Sequence, residues 1–229
     1  MPDPLDVAVD GVTLRVRVWP AVGTAHRPVV LLPATGETAE DWDVVASCLH
    51  PSRTVYAVNL RGHGSSDWPG RYSIQAMADD VTGLLRRLDD RPVDLVGHSL
   101  GGLAACSLAS AHPELVHRLV LEDVGVPHAR PATAPRRPPG VLSFDWRVVE
   151  QVRPEIDEPD PRWGEVVAAI SAPTLVIAGG ASSPVPQEHV AELVRIVPDG
   201  RLVTVSAGHL VHDRRPEEFT RHLLTFLDA

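Results

Sequence analysis

Short apolar runs recur along this chain with room for one helix between each pair, and that alternation constrains the fold more than any other feature. Residues 29–32, 55–58, 93–96, 119–121, 174–177 and 202–205 each read as a strand rich in Val, Leu and Ile. They show little polar alternation, as expected of parallel strands covered on both faces. The opening segment alternates around Asp10-Gly11 and reads as an antiparallel hairpin at one edge. Amphipathic stripes lie between the strands: Ile74, Met77, Ala78, Val81, Leu84, Leu85 and Leu88 behind a Ser73 cap, then Val190, Leu193, Val194 and Val197, then Phe219, Leu223, Phe226 and Leu227. The expected fold is α/β, a doubly wound, mostly parallel sheet flanked by helices.

One stretch breaks the rhythm. Residues 126–172 are rich in proline and then carry Phe144-Asp145-Trp146 and two short helical patterns. So long an excursion between core strands reads as a lid over a site, since the aromatics need something apolar to cover. The expected organisation is a core of residues 1–125 and 173–229, with a small cap of residues 126–172 inserted after the sixth core strand. A length of 229 residues suits one domain with such an insertion.

Composition removes several classes of chemistry. All 21 basic residues are arginines, so a lysine Schiff base and a phosphate-cradling P-loop lysine are both ruled out. The formal charge of −9 and the lack of a dense basic run argue against nucleic acid. No apolar stretch approaches a membrane span, and Met1-Pro2-Asp3-Pro4 lacks a signal pattern, so a cytoplasmic protein is expected. Cys48 and Cys106 are far apart and read as buried small hydrophobes. No metal-ligand spacing is evident, so neither metal nor organic cofactor is expected.

The sharpest motif is Gly97-His98-Ser99-Leu100-Gly101-Gly102, set between the strand at 93–96 and a helix of small residues. This is the pattern of a nucleophile elbow, in which a serine sits on a strained strand-to-helix turn. A serine hydroxyl needs a neighbouring base, and the oxyanion formed by its attack needs preorganised N–H donors. The Leu100 amide is one candidate donor.

With Asn59-Leu60-Arg61-Gly62-His63-Gly64-Ser65-Ser66-Asp67 after the fourth strand and Ala207-Gly208-His209 after the last, the chain resembles the α/β-hydrolases over nearly its whole length. The resemblance implies His209 as the base, while His63 and His98 read as structural or pocket-lining. Many members carry an aspartate after the strand matching 174–177, but here Ser182 occupies that place. Some lipases of the superfamily take the acid from the preceding strand, which makes Asp123 the candidate, with Glu122 behind it. Side chains alternate along a strand, so one of the two should face the site. The loop that usually begins His-Gly reads Pro33-Ala34-Thr35-Gly36-Glu37, and the Thr35 amide aligns with the second oxyanion donor. His98, Phe144 and Trp146 are the candidate pocket residues; the alternative for the two aromatics, and for Leu142, is that they cement the cap to the core.

The activity implied is hydrolysis of a small carboxylic ester, thioester or lactone through an acyl-enzyme, with a small molecule as substrate and neither nucleic acid nor membrane as partner. Carbon–carbon bond hydrolysis or elimination on the same residues is the first alternative. A ligand-binding homologue without catalysis is the second, favoured by the missing acid and the altered loop.

Overall fold

A computed structural model describes residues 1–23, 26–88, 92–131 and 133–229. Eight strands form one sheet: β1 (Asp3–Val9), β2 (Val12–Trp19), β3 (Val29–Leu32), β4 (Val55–Val58), β5 (Val93–His98), β6 (Val116–Glu122), β7 (Thr174–Ala178) and β8 (Gly200–Thr204). Their spatial order is β1-β2-β4-β3-β5-β6-β7-β8; β1–β2 and β2–β4 pair antiparallel, and every later pair is parallel. The sequence order reverses around β3, so the loops leaving β3 and β5 diverge and leave a crevice at the carboxyl edge of the sheet.

The helices are α1 (Asp43–Leu49), α2 (Ile74–Leu85), α3 (Ser99–Ala111), α4 (Arg147–Asp157), α5 (Trp163–Ala168), α6 (Gln187–Ile196), α7 (Val211–Arg214) and α8 (Pro216–Leu227). The Ser73 hydroxyl caps α2 by accepting the Ala76 N–H. Two apolar layers cover the sheet, and the strands feed them alternately. Val30, Leu32, Leu95 and Leu119 join the stripes of α2, α3 and α6, while Val29, Leu31, Val96 and Val120 join Trp42, α1 and α8.

Two expectations change. The aliphatic run at 202–205 implies cover on both faces, but β8 is the sheet edge and three of its five residues face solvent, with Leu202 42% exposed. A strand with one neighbour loses cover that a central strand has. Likewise, Cys106 is buried as expected, whereas Cys48 is exposed on α1.

Among its described residues, the 126–172 segment packs into the core of the main sheet. Val148, Val152, Val167 and Ile170 belong to the same apolar cluster as α2 and α3. Its second helix, α5, packs against α3 and α6, as the crossover between parallel β6 and β7 requires. The first helix, α4, is tied to the loop before α2: the Gln151 side chain accepts the Tyr72 N–H and donates to the Gly70 carbonyl, and Glu155 accepts the Ile74 N–H. Among the described residues, no helix is long and apolar enough to cross a membrane.

Candidate active site

Ser99 stands where β5 turns into α3, and its φ of 49° puts a residue other than glycine in the left-handed region. That strained turn aims the hydroxyl away from both elements. It closes because its neighbours lack side chains. A Cβ on Gly97 would lie 2.6 Å from the Gly102 Cα, and one on Gly101 would lie 2.5 Å from the Pro33 carbonyl oxygen. Gly101→Ala is therefore expected to destabilise by about 1–3 kcal/mol through overpacking against backbone. Thermal unfolding measures this directly, and an unchanged midpoint would mean that the elbow opens freely.

Leu100 is the second residue of α3, so its N–H has no acceptor inside the helix. Thr35 follows β3 and borders the same cavities as Ser99. Its loop is braced from within, since the Glu37 carboxylate accepts the Ala34 N–H at 2.9 Å and the Glu37 N–H donates to the Ala34 carbonyl at 3.2 Å.

His209 follows β8, and its Nδ1 lies 2.6 Å from Asp123 Oδ2. Asp123 is fully buried at the end of β6, again at positive φ (51°). Its oxygens also accept the Gly179 N–H at 2.9 Å, the Ser183 hydroxyl and, at 3.3 Å, the Gln187 side-chain amide. Burial is the largest single influence on this carboxyl and would raise its pKa. The bonds from His209, Ser183 and Gly179 together outweigh burial and hold the carboxyl below its ordinary value. A charged acid therefore faces the His209 ring, and with Nδ1 engaged, Nε2 is left for other work.

Ser99 and His209 both border two cavities. The larger, about 750 Å³, is walled by Leu103, Val124, Val126, Val152, Ile156 and Val185 among others. The smaller, about 420 Å³, has the larger share of polar side chains, with Thr35, Glu37, Asp41 and Asp213 in its wall.

Three expected pocket residues lie elsewhere. His98 is fully buried, with Nδ1 2.8 Å from Glu37 Oε2, because it is the last residue of β5 and points away from the Ser99 side of the turn. Phe144 stacks on His63 at 5.6 Å between ring centroids and packs against Gly36, so it props the Thr35 loop from outside. Trp146 lies against Phe144 at 6.3 Å between centroids. Neither aromatic borders these two cavities, and the wall from this segment is made by Val149, Val152, Arg153 and Ile156 of α4.

Alternation along β6 separates the two acids. Asp123 meets His209, whereas Glu122, also fully buried, accepts the His212 N–H at 2.9 Å and sits 2.8 Å from His212 Nδ1. Ser182 is exposed beside Gly208, and it is its neighbour Ser183 that bonds the acid. Ser183, Gln187 and Glu37 were not legible as site residues, since serines, glutamines and glutamates in loops carry no motif. His98, Glu122 and His212 bring ligand atoms within 4.8 Å of one another, a spacing that a metal ion could use. The Glu122 carboxylate is, however, already engaged by His212, and His98 Nδ1 by Glu37. The grouping is a network of acid–histidine hydrogen bonds.

A family model described as "alpha/beta hydrolase fold" matches residues 27–147. The chain is 29% identical to a mouse sn-1-specific diacylglycerol lipase over 225 residues, covering 76% of this chain and 72% of the lipase. It is 42% identical to an esterase of Mycobacterium tuberculosis over 104 residues, 44% of this chain and 34% of the esterase. The crystal structure of a hydrolase from Pseudomonas aeruginosa superposes with a TM-score of 0.84 at 25% identity, covering 99% of both chains.

Proposed function

Because the chain belongs to the α/β-hydrolase family, we propose that it hydrolyses a small carboxylic ester, thioester or lactone through an acyl-enzyme on Ser99. The observation that carries this reading is the 2.6 Å bond between His209 Nδ1 and Asp123, made where His209 and Ser99 share the walls of both cavities.

In the proposed cycle His209 Nε2 takes the Ser99 hydroxyl proton as the oxygen attacks the carbonyl carbon. The oxyanion is held by the Thr35 and Leu100 N–H groups, which as main-chain donors need no reorganisation. Collapse breaks the bond to the leaving oxygen or sulfur, which receives the proton from His209. Water then attacks the acyl-Ser99 ester, giving its proton to His209, and a second collapse frees the acid and restores the hydroxyl. Asp123 keeps Nδ1–H pointed at itself and opposes the charge on the ring.

The larger, mostly apolar cavity suits the acyl group, with α4 as its cap, and the smaller, more polar one suits the leaving group and water. The non-catalytic alternative drew on the missing acid after β7 and on the altered Pro33-Ala34 loop; the buried Asp123 carboxylate bonded to His209 weighs against the first of these.

A fluorophosphonate followed by mass analysis is the direct test. One adduct, located on Ser99, together with turnover of p-nitrophenyl esters is expected. Absence of an adduct would overturn the reading, and turnover of a vinylogous diketone with none of any ester would transfer it to carbon–carbon cleavage.

A further inference from the structure

We propose that Glu37, His98, Glu122 and His212 are positioning residues, a buried network that fixes the four chain segments carrying the reacting groups; the proposal rests on the serine-hydrolase reading above. Each member lies within three residues of one of those groups: Glu37 near Thr35, His98 beside Ser99, Glu122 beside Asp123, and His212 near His209. The segments come from four separate places in the chain and meet only at the edge of the sheet. Nothing local to any one of them sets its distance from the others.

The contacts form two linked pairs. Glu37 Oε2 accepts the Ala34 N–H at 2.9 Å and faces His98 Nδ1 at 2.8 Å, which joins the loop of the Thr35 donor to the elbow of Ser99 and the Leu100 donor. Glu122 Oε1 accepts the His212 N–H at 2.9 Å and Oε2 faces His212 Nδ1 at 2.8 Å, which joins the strand end beside Asp123 to the helix just after His209. The His98 ring links the pairs, lying 5.3 Å from the His212 ring and 4.6 Å from the His209 ring between centroids. His212 is held from behind by stacking on Trp42 at 4.3 Å.

Charge reinforces the geometry. Burial is the largest influence on His98 and would lower its pKa, yet the Glu122 and Glu37 carboxylates together raise it to about 9. Burial would equally raise Glu37, but bonding to His98 holds it down to about 2. The Glu37 carboxylate at one ring nitrogen and the nearby Glu122 carboxylate thus both favour the protonated form of His98, the residue that precedes Ser99. Breaking one partner would leave the others buried and uncompensated, so the segments are strongly held in register. A misplacement near 1 Å at the reacting atoms costs about a hundredfold in rate.

The test compares wild type with Glu37→Gln, which can still accept the Ala34 N–H but lacks the charge. Three quantities are read: the rate of Ser99 modification by the fluorophosphonate, kcat and KM on a p-nitrophenyl ester from pH 6 to 10, and the thermal midpoint. Expected are a 10- to 100-fold lower kcat and modification rate (about 100 being the cost of ångström-scale misplacement), with KM changed less than about twofold. The wild-type rate should fall as pH rises through about 9, where His98 loses its proton, and in the variant this fall should move to lower pH because one stabilising carboxylate is gone. A folded Glu37→Gln with wild-type rates and an unmoved alkaline limb would overturn the network while leaving the serine-hydrolase reading intact. Should that variant not fold, Glu122→Gln is read in the same three ways, since it keeps an acceptor for the His212 N–H but lacks the charge; a folded protein with wild-type kcat and modification rate overturns the proposal. Wild type that takes no adduct overturns both readings together.

Discussion

Ser99→Ala is expected to lower kcat on a p-nitrophenyl ester by about 10⁶, the scale seen when a serine nucleophile is removed from a hydrolase. The fold should survive, because alanine keeps the Cβ and meets the same left-handed backbone that serine already tolerates at φ 49°. Only the oxygen that attacks is lost. The Thr35 and Leu100 amides would remain, so a small residual rate over solvent is expected from oxyanion binding alone. Steady-state kinetics and loss of the phosphonate adduct are the readouts. A variant that stays within tenfold of wild type would place the nucleophile elsewhere.

The second large effect belongs to the acid. Asp123→Asn should reduce kcat by about 10⁴, as when the aspartate of a Ser-His-Asp triad is replaced by its amide. An asparagine cannot oppose the charge on the His209 ring, and its NH₂ group facing Nδ1 favours the wrong tautomer. The carboxylate also accepts the Gly179 N–H and the Ser183 hydroxyl, so the amide oxygen must keep those partners for the fold to stand. A circular dichroism spectrum and thermal midpoint separate loss of chemistry from loss of structure. Ser182→Ala, at an exposed position that does not touch Asp123, should leave turnover within about twofold of wild type, as surface substitutions commonly do. The opposite ranking of these two variants would show that the orienting group lies after β7.

Both effects depend on placement more than on composition. Asp123 and Glu122 are adjacent, chemically alike and equally buried, yet one meets His209 and the other His212. The pleat of β6 and the positive φ at Asp123 direct them to different histidines. Exchange between the two roles would need the strand to slip by one residue, which would turn its whole apolar set to the wrong face.

Local periodicity and local turn chemistry made several parts of this protein readable before any contact was known. Unbroken aliphatic runs marked the central strands, three- and four-residue spacing marked the sheet-facing stripes of α2, α6 and α8, and Gly97-His98-Ser99-Leu100-Gly101-Gly102 marked the strained turn of Ser99. Each signal lies within a dozen residues, so the physics that creates it is visible in a short window. Pairings across long separations came from the folded chain: Asp123 and not Glu122 with His209, 86 residues apart; Glu37 with His98, 61 apart; Glu122 with His212, 90 apart. It also built the cavity wall of the 126–172 segment from α4, with Phe144 packed on His63 instead. Such contacts depend on the stacking order of the strands and on where each connection crosses the sheet edge, and no local pattern of side chains encodes either.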